Sequence, residues 1–536
     1  MLRPLNIIIS KFLNSSVYRI LLAFIAALLL SASLSSFGYY NLAWVGLAPL
    51  ILLNKSAKTF SNLVIESLVF FCIYNLISFI WIFSIHPLSW LGLQPIESGI
   101  IANLAWLIPS LYQSCFLLIF SIAIWLIYQF KSKKKLEELS LIEIIILAFI
   151  WALIQYKVFA NGNNPFSIFA IPINQLAYSQ ANNADIKELL GIIGSPGLEI
   201  LIVSFNILIA NLIHVHNFSN SQAKMFYTNQ ASHGMIEINS LTKSLFNLAL
   251  LIVLFTGIKL SHFDHSKLEA MNPLSVRLIQ ANLDRKDTRA DLNNLSNIID
   301  KQKLLSLKDL SNAKSDLLIW SEAGIPSPDR TQLTNDLFTS LAENYDSFLY
   351  GTYRENGLDT FNSLSLMNFE QELEQNYNKQ FLVPFGEYTP LINLFPTPIK
   401  RLAHNTIGSG FSSMKAKQKL LKLNGENIKF ASSICFELLF PELIKKQVNK
   451  GAQFIVNTND LSWFSNTIIN DLFLAVAKVR ALEHKKELIL AANSGYSSLI
   501  SADGEIVQLT PLNSEAHLDF MLSPNKCKTF YSRYGW

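Results

Sequence analysis

Seven apolar runs fill the first half of the sequence and constrain its fold more than any other feature. They lie at 18–34, 39–53, 61–84, 98–129, 141–159, 196–215 and 244–262. A helix that crosses the roughly 30 Å hydrocarbon core of a bilayer needs about 20 mostly apolar residues. A cleaved signal peptide does not account for the first run, because that run is long and six others follow it. We therefore expect a membrane domain of about seven helices at residues 1–265.

The charged residues divide the chain at the same place. Residues 1–265 carry 14 Lys or Arg and 10 Asp or Glu, whereas residues 266–536 carry 29 of each. The net charge of +4 thus belongs to the apolar half, which argues against a basic surface for nucleic acid. With the N-terminus inside, 11 Lys and Arg lie in cytoplasmic segments and 3 in outer segments, as basic loops prefer. Seven crossings then place everything after residue 262 on the outer face.

The second half, residues 266–536, has the composition of a water-soluble domain. Short β-rich runs alternate with helix-compatible stretches, which predicts an α/β domain with buried sheets. The predicted strands are 276–281, 317–320, 348–353, 363–367, 428–434, 454–457, 488–492 and 497–501, the last followed by a hairpin turn at 502–505. The predicted helices are 287–313, 331–344, 438–450 and 468–485. The short junction at 261–273 holds this domain against the membrane surface.

Three residues in this half could carry chemistry. Cys435 ends a strand and is a candidate nucleophile, Glu322 ends the apolar run DLLI and is a candidate base, and Lys379 could stabilise an oxyanion. Taken singly, each has a plainer interpretation: a core cysteine, a solvated strand-end glutamate and a surface lysine. Four cysteines exclude a disulfide framework, and the histidines show no metal spacing. We expect neither a metal nor a cofactor.

The order Glu322, Lys379, Cys435 resembles the triad of the nitrilase superfamily, whose domain is an α-β-β-α sandwich. Behind a multi-span membrane domain, it resembles the apolipoprotein N-acyltransferase family over essentially the whole chain. The motifs that carry the resemblance are 276–282 (VRLIQAN), 320–322 (WSE), 382–388 (LVPFGEY), 434–437 (ICFE), 463–464 (WF), 480–483 (RALE) and 493–495 (NSG), with 164–166 (NPF) and 191–194 (GIIG) in the membrane half.

The resemblance implies a function. Cys435 would take a fatty acyl chain from a membrane phospholipid as a thioester and pass it to the N-terminal amino group of diacylglyceryl-cysteine in an apolipoprotein. Glu322 would be the general base, and Lys379 would stabilise the oxyanion. The supporting residues implied are Glu387, Glu437 and Phe436, with Trp463 and Phe464 as candidates for the substrate pocket. The same resemblance implies a monomer in the bacterial inner membrane, multi-pass, with the catalytic domain in the periplasm.

The sequence departs from the family pattern in a few places. Residues 287–289 read Asp-Thr-Arg where the family has a Trp, one extra residue precedes Trp463, and Leu472-Phe473 replaces a Gln-His pair. The family pattern also predicts an eighth span after the Tyr-x-Arg-x-Gly segment at 531–535.

Two other functions stay open from the residues. A membrane-tethered amidase or nitrilase would give the acyl group to water. A transporter with a soluble appendage is disfavoured, because the predicted spans carry few acidic residues: Glu66, Glu143 and Glu199.

Overall fold

The computed structural model describes residues 15–222 and 271–535. Within these ranges the description omits 90–91, 134–138, 163, 285–294, 311–312, 328–331, 393–396, 398–399, 401–410, 414–417, 424–427 and 465–466. The predicted seventh span at 244–262 and the departure at 287–289 lie outside the described residues.

The first half is helical. Its helices are α1 (Ser16–Ser31), α2 (Ala48–Ser56), α3 (Phe60–Ser78), α4 (Pro95–Lys133), α5 (Leu141–Leu153) and α6 (Lys187–Gln222). Among the described residues, four segments are long and apolar enough to cross a membrane: Phe60–Ser78, Pro95–Lys131, Leu141–Phe159 and Lys187–Ile213. They coincide with the third to sixth predicted spans. The first predicted span forms the shorter apolar helix α1, and the second forms a 3-10 turn, Tyr40–Trp44, followed by the nine-residue α2.

The three glutamates of the predicted spans, Glu66, Glu143 and Glu199, have defined partners. Glu66 in α3 forms an ion pair with Arg19 in α1, with N–O distances of 2.5 and 2.7 Å. Glu143 completes a capping box with Ser140 at the start of α5. The buried carboxylate of Glu199 accepts hydrogen bonds from the Trp151 indole and from two backbone N–H groups, those of residues 176 and 177. These carboxylates therefore hold helices and helix ends in place.

The second half consists of two six-stranded sheets packed face to face. Its strands are β1 (Leu274–Gln280), β2 (Ser315–Ile319), β3 (Tyr345–Asn356), β4 (Asp359–Asn368), β5 (Leu373–Asn378), β6 (Leu421–Lys422), β7 (Lys429–Ile434), β8 (Phe454–Asn459), β9 (Leu488–Ala492), β10 (Ser498–Ile500), β11 (Ile506–Leu509) and β12 (Ala516–Leu522). The sheet orders are β12-β1-β2-β3-β4-β5 and β11-β10-β9-β8-β7-β6. Apolar side chains from both inner faces, such as Leu278, Ile319, Phe430 and Val456, fill the space between the sheets.

Helices cover both outer faces. The helices of this half are α7 (Leu295–Leu307), α8 (Gln332–Ala342), α9 (Pro441–Asn449), α10 (Ile469–His484) and α11 (Phe530–Tyr534). The first pair packs on the first sheet around Trp320 and Phe348. The pair α9 and α10 packs on the second sheet, and one apolar cluster continues from there into the membrane helices. The predicted α-β-β-α sandwich is confirmed, and the helical layer that covers its second sheet packs on the membrane half.

Candidate active site

Glu322, Lys379 and Cys435 come together because each follows a strand. Glu322 lies just beyond β2, Lys379 directly after β5 and Cys435 directly after β7. β2 and β5 run in the same direction, since β2 is parallel to β3 and two antiparallel pairings connect β3 to β5. The carboxyl ends of β2 and β5 therefore lie at the same end of the first sheet.

A glycine lets the segment around Glu322 approach the neighbouring strand. A Cβ atom on Gly351 in β3 would lie 2.3 Å from the backbone nitrogen of Ala323. Ala323 itself has a left-handed φ of 51°, which is unusual for a residue with a side chain. The chain thus turns tightly against β3 at the point where the Glu322 carboxyl enters the site.

Lys379 is the buried centre of the charge cluster. Its Nζ atom lies 3.2 Å from Oε1 of Glu322 and 2.8 Å from Oε1 of Glu387. The amide of Asn362 donates to both of these carboxylates, at 2.7 and 2.9 Å. The backbone N–H of Val383 donates to the other oxygen of Glu387, at 2.8 Å. One ammonium group and one amide therefore hold two carboxylates side by side.

This arrangement sets the protonation of the cluster. Burial raises the pKa of Glu322; the positive charge of Lys379 opposes that effect, and the negative charge of Glu387 adds to it. Burial alone would lower the pKa of Lys379, but Glu322 and Glu387 raise it above its ordinary value. Lys379 is therefore a permanent cation, and Glu322 binds a proton more readily than a solvated glutamate.

Cys435 lies in a strained backbone conformation. Its φ of 49° is left-handed, a region that residues with a side chain adopt at a cost of about 1–3 kcal/mol. The side-chain amide of Asn457 donates to the Cys435 carbonyl at 3.2 Å, which helps to fix the turn. The residue is partly exposed and directly follows β7.

The thiol of Cys435 is electrostatically coupled to the cluster. Burial raises the pKa of Cys435 well above its ordinary value, and the negative charge of Glu322 raises it further. The charge of Lys379 and a hydrogen bond from the backbone N–H of Asp460 act in the opposite direction without cancelling the rise. The sulfur is therefore a neutral thiol at rest, and its reaction as a nucleophile requires a base to remove the proton.

Glu437 connects the lysine segment to the cysteine turn. Its carboxylate accepts hydrogen bonds from the backbone N–H groups of Gln380 at 2.6 Å, Phe381 at 3.2 Å and Ile434 at 2.8 Å. The Tyr377 hydroxyl donates at 2.9 Å. Burial raises the pKa of Glu437 to about 7. This side chain therefore ties the segment after β5 to the turn after β7.

The predicted aromatic residues lie at the boundary with the membrane half. Phe436 is buried and packs edge to face on Phe440, with ring centroids 5.3 Å apart. Phe464 makes a similar contact, at 4.6 Å, with Trp81 of the membrane half. Trp463 lies beside Phe464 in the 3-10 turn Ser462–Phe464 and is partly exposed.

Three polar residues of the site were not predicted as site residues from the sequence: Asn362, Asn457 and Asp460. All three are buried. Asn362 and Asn457 lie inside strands whose neighbouring residues are also buried. An asparagine in such a strand needs a hydrogen-bond partner, and that requirement was the available signal. Over the described residues, we find no group of three or more His, Cys, Asp or Glu that could hold a metal ion.

A cysteine beside a buried lysine and two glutamates, on a four-layered sandwich, defines a carbon–nitrogen-hydrolase-like domain. The carbon-nitrogen hydrolase family model matches residues 275–527. A second family model, the apolipoprotein N-acyltransferase N-terminal domain, matches residues 26–208. The chain belongs to the apolipoprotein N-acyltransferase family and is a membrane protein with both of that family's domains.

Curated relatives match along almost the whole chain. The apolipoprotein N-acyltransferase of Geobacter metallireducens is 25% identical over 96% of this chain and 91% of its own length. That of Haemophilus influenzae is 26% identical over 98% of this chain and 92% of its own length. Among solved structures, Nit3 of Saccharomyces cerevisiae, a nitrilase superfamily member, is 16% identical and covers 48% of this chain and 92% of its own, with a TM-score of 0.34.

Proposed function

We propose that this protein transfers a fatty acyl chain from a membrane phospholipid to the N-terminal amino group of diacylglyceryl-cysteine in apolipoproteins. The observation that carries the proposal is a strained, partly exposed cysteine coupled to a buried lysine and two glutamates, in a domain packed on apolar helices. Relatives that match more than 90% of the chain bear the name of this activity.

In the first half-reaction, Glu322 accepts the proton of the Cys435 thiol as the sulfur attacks the carbonyl carbon of the phospholipid ester. Lys379 and a backbone N–H near Cys435 stabilise the oxyanion that forms. The carbon–oxygen ester bond then breaks, and Glu322 returns the proton to the departing alkoxide. The products are an acyl-thioester on Cys435 and a lysophospholipid.

In the second half-reaction, the amine of the apolipoprotein attacks the thioester. Glu322 accepts a proton from the nitrogen, the carbon–sulfur bond breaks, and the Cys435 thiolate leaves and regains the proton. The product is an amide and the free thiol. A thioester suits this sequence, because it forms from an ester and is reactive enough to acylate an amine. The chemistry uses no cofactor.

The supporting residues act through the triad. Glu387 shares Lys379 with Glu322 and keeps the ammonium in place, and Glu437 holds the lysine segment against the cysteine turn. Phe436 and Phe464 supply apolar surface at the boundary with the membrane half, and Trp463 lies beside them. That surface suits substrates whose reacting groups are attached to lipid chains.

For the cellular arrangement, we propose a multi-pass monomer of the bacterial inner membrane. Residues 1–265 form the membrane domain with a cytoplasmic N-terminus, and residues 266–536 form the catalytic domain in the periplasm. The excess of Lys and Arg in the inner segments supports this orientation. A reporter fused after residue 270 is expected to read extracytoplasmic, and a cytoplasmic signal would contradict the orientation.

The acyl-enzyme provides the direct test. Purified protein is incubated with phospholipid vesicles and analysed by mass spectrometry. We expect an acyl-sized adduct on Cys435 that a diacylglyceryl-cysteine peptide discharges to an N-acyl peptide. If the adduct is hydrolysed at the same rate with and without the peptide, the protein is a hydrolase instead. No adduct on Cys435 would overturn the proposed function.

A further inference from the structure

Arg480 in α10 is fully buried and joins the two halves of the molecule. Its Nη2 atom donates to the hydroxyl of Tyr178 in the membrane half at 2.6 Å. Nη1 pairs with Glu483, one turn further along α10, and also donates to the Ser195 hydroxyl at 3.4 Å. Nε donates to the carbonyl of Leu438 at 3.1 Å. One guanidinium group thus contacts three separate segments of the chain.

One of the two segments of the membrane half that Arg480 contacts is a break in α6. Gly194 has a left-handed φ of 65° within the helix, and the following Ser195 N–H donates to the Glu483 carboxylate at 2.7 Å. A Cβ atom on Gly194 would lie 2.2 Å from the ring of Tyr531, so the C-terminal segment packs directly on the break. The end of α10 and the break in α6 are therefore held together by hydrogen bonds and by close packing.

On the catalytic side, the contact ends near the nucleophile. Leu438 lies three residues after Cys435, within the 3-10 turn Cys435–Leu439 that begins with the nucleophile. Arg480 therefore bonds to the turn that carries Cys435 and to two segments of the membrane half at the same time. A planar guanidinium with several fixed donors suits such a junction, whereas the point charge of a lysine does not.

We propose that Arg480 is a positioning residue that fixes the turn bearing Cys435 at the height of the bilayer, so that the thiol meets an acyl ester held in the membrane. This inference rests on the proposed function, because it requires a membrane-held acyl donor. A water-soluble ester diffuses to the thiol by itself and gains nothing from this alignment. Loss of the contact therefore affects the two kinds of donor differently.

The experiment compares two acyl donors in the full-length protein. The rate at which Cys435 becomes acylated is measured with vesicles of phosphatidylethanolamine and phosphatidylglycerol, and separately with p-nitrophenyl butyrate in detergent. The variants are Arg480→Lys and Tyr178→Phe, the second of which removes only one hydroxyl. We expect the vesicle rate to fall about tenfold in both, the typical effect of one lost hydrogen bond to a charged group. The rate with p-nitrophenyl butyrate should stay within about twofold.

Two buried arginines that do not join the halves serve as controls. Arg19 pairs with Glu66 inside the membrane half, and Arg277 pairs with Asp519 inside the catalytic half. Arg19→Lys and Arg277→Lys should change the two rates by the same factor. If the Arg480→Lys and Tyr178→Phe variants slow the acylation of Cys435 by the same factor with both donors, the positioning role is overturned. Unchanged rates with both donors would overturn it as well. A control variant that loses acylation from vesicles but keeps the rate with p-nitrophenyl butyrate would also overturn the positioning role. A wild-type protein that forms no adduct from vesicles would refute the proposed function itself.

Discussion

Two buried charge clusters, one in each half of the molecule, differ in how their charges balance. In the membrane half, the Arg19 guanidinium and the Glu66 carboxylate form a balanced pair through two hydrogen bonds. In the catalytic half, the single ammonium of Lys379 faces the two carboxylates of Glu322 and Glu387. A balanced pair stabilises a structure and leaves no charge over, whereas the second cluster retains an excess negative charge that can accept a proton. We infer that this difference separates a structural ion pair from the proposed catalytic cluster.

The largest expected effect comes from removing the sulfur of Cys435, whose proton the negatively charged cluster is proposed to accept. Cys435→Ser replaces a thiol by a much weaker nucleophile, so we expect acyl transfer to fall by at least about 10⁴-fold. The acyl adduct in the mass spectrum should disappear as well. Cys72→Ser, which changes a cysteine inside α3, is the matched control and should keep its activity. N-acylation retained in Cys435→Ser would exclude Cys435 as the nucleophile.

Balancing the charges of the proposed catalytic cluster is expected to abolish acyl transfer and to leave the fold intact. Glu322→Gln leaves Lys379 and Glu387 as a one-to-one pair, so thermal unfolding should change little. Without the base, we expect formation of the acyl-enzyme to fall by about 10²–10⁴-fold. Stopped-flow or quenched mass spectrometry measures this rate. Full activity would assign the base to another residue.

The reverse change in the membrane half should harm stability and spare the chemistry. Glu66→Gln leaves the Arg19 charge buried without its carboxylate, which costs about 3–5 kcal/mol. We expect a lower unfolding temperature in detergent, with the acylation rate per folded molecule close to that of the wild type. A Glu66→Gln variant as stable as the wild type would contradict the inference that the Arg19–Glu66 pair stabilises the fold.

The smallest expected effect concerns Glu437, a buried carboxylate held mainly by N–H groups. Its pKa of about 7 exceeds the 4.5 of an ordinary glutamate, so the folded protein keeps the proton in a range where the unfolded chain loses it. This contribution to stability is complete below about pH 4.5 and is lost as the pH rises to about 7. By linkage it amounts to about 3 kcal/mol.

Thermal unfolding between pH 4.5 and 7.5 measures this contribution. Glu437→Gln does not titrate, so its unfolding temperature should fall less over this range than that of the wild type. Parallel curves for the two proteins would show that Glu437 keeps an ordinary pKa in the fold.

The strands that could be predicted from the sequence are those that contain blocks of apolar residues. β9 (LILAA) is a continuous apolar run and β8 (FIVNTN) begins with one, whereas β7 (KFASSI) mixes apolar and polar residues. Glu322 and Cys435 stand out because each closely follows a predicted strand. β5 (LEQNYN) carries no apolar signal, and the apolar residues of β12 (AHLDFML) are interrupted by His517 and Asp519. Neither strand was predicted, and each pairs with a neighbouring strand that supplies hydrogen bonds. Asn362 could not be assigned to the site from sequence, because its two partners lie 40 and 25 residues away along the chain. The break at Gly194 was also missed, since it depends on contacts with Tyr531 and Glu483.

The apolar cluster that continues from the membrane helices into α9, α10 and the second sheet has a consequence for biosynthesis. Side chains such as Leu443, Leu472 and Val476 belong to the same cluster as Leu198 and Ile202 of α6. Because the ribosome delivers the N-terminal half first, we expect the inserted helices to be present when the second sheet emerges and to provide the surface on which the catalytic half folds. Without that surface, the catalytic half would expose a broad apolar face. We expect it to aggregate when produced alone and to fold when the membrane half is supplied as a separate chain.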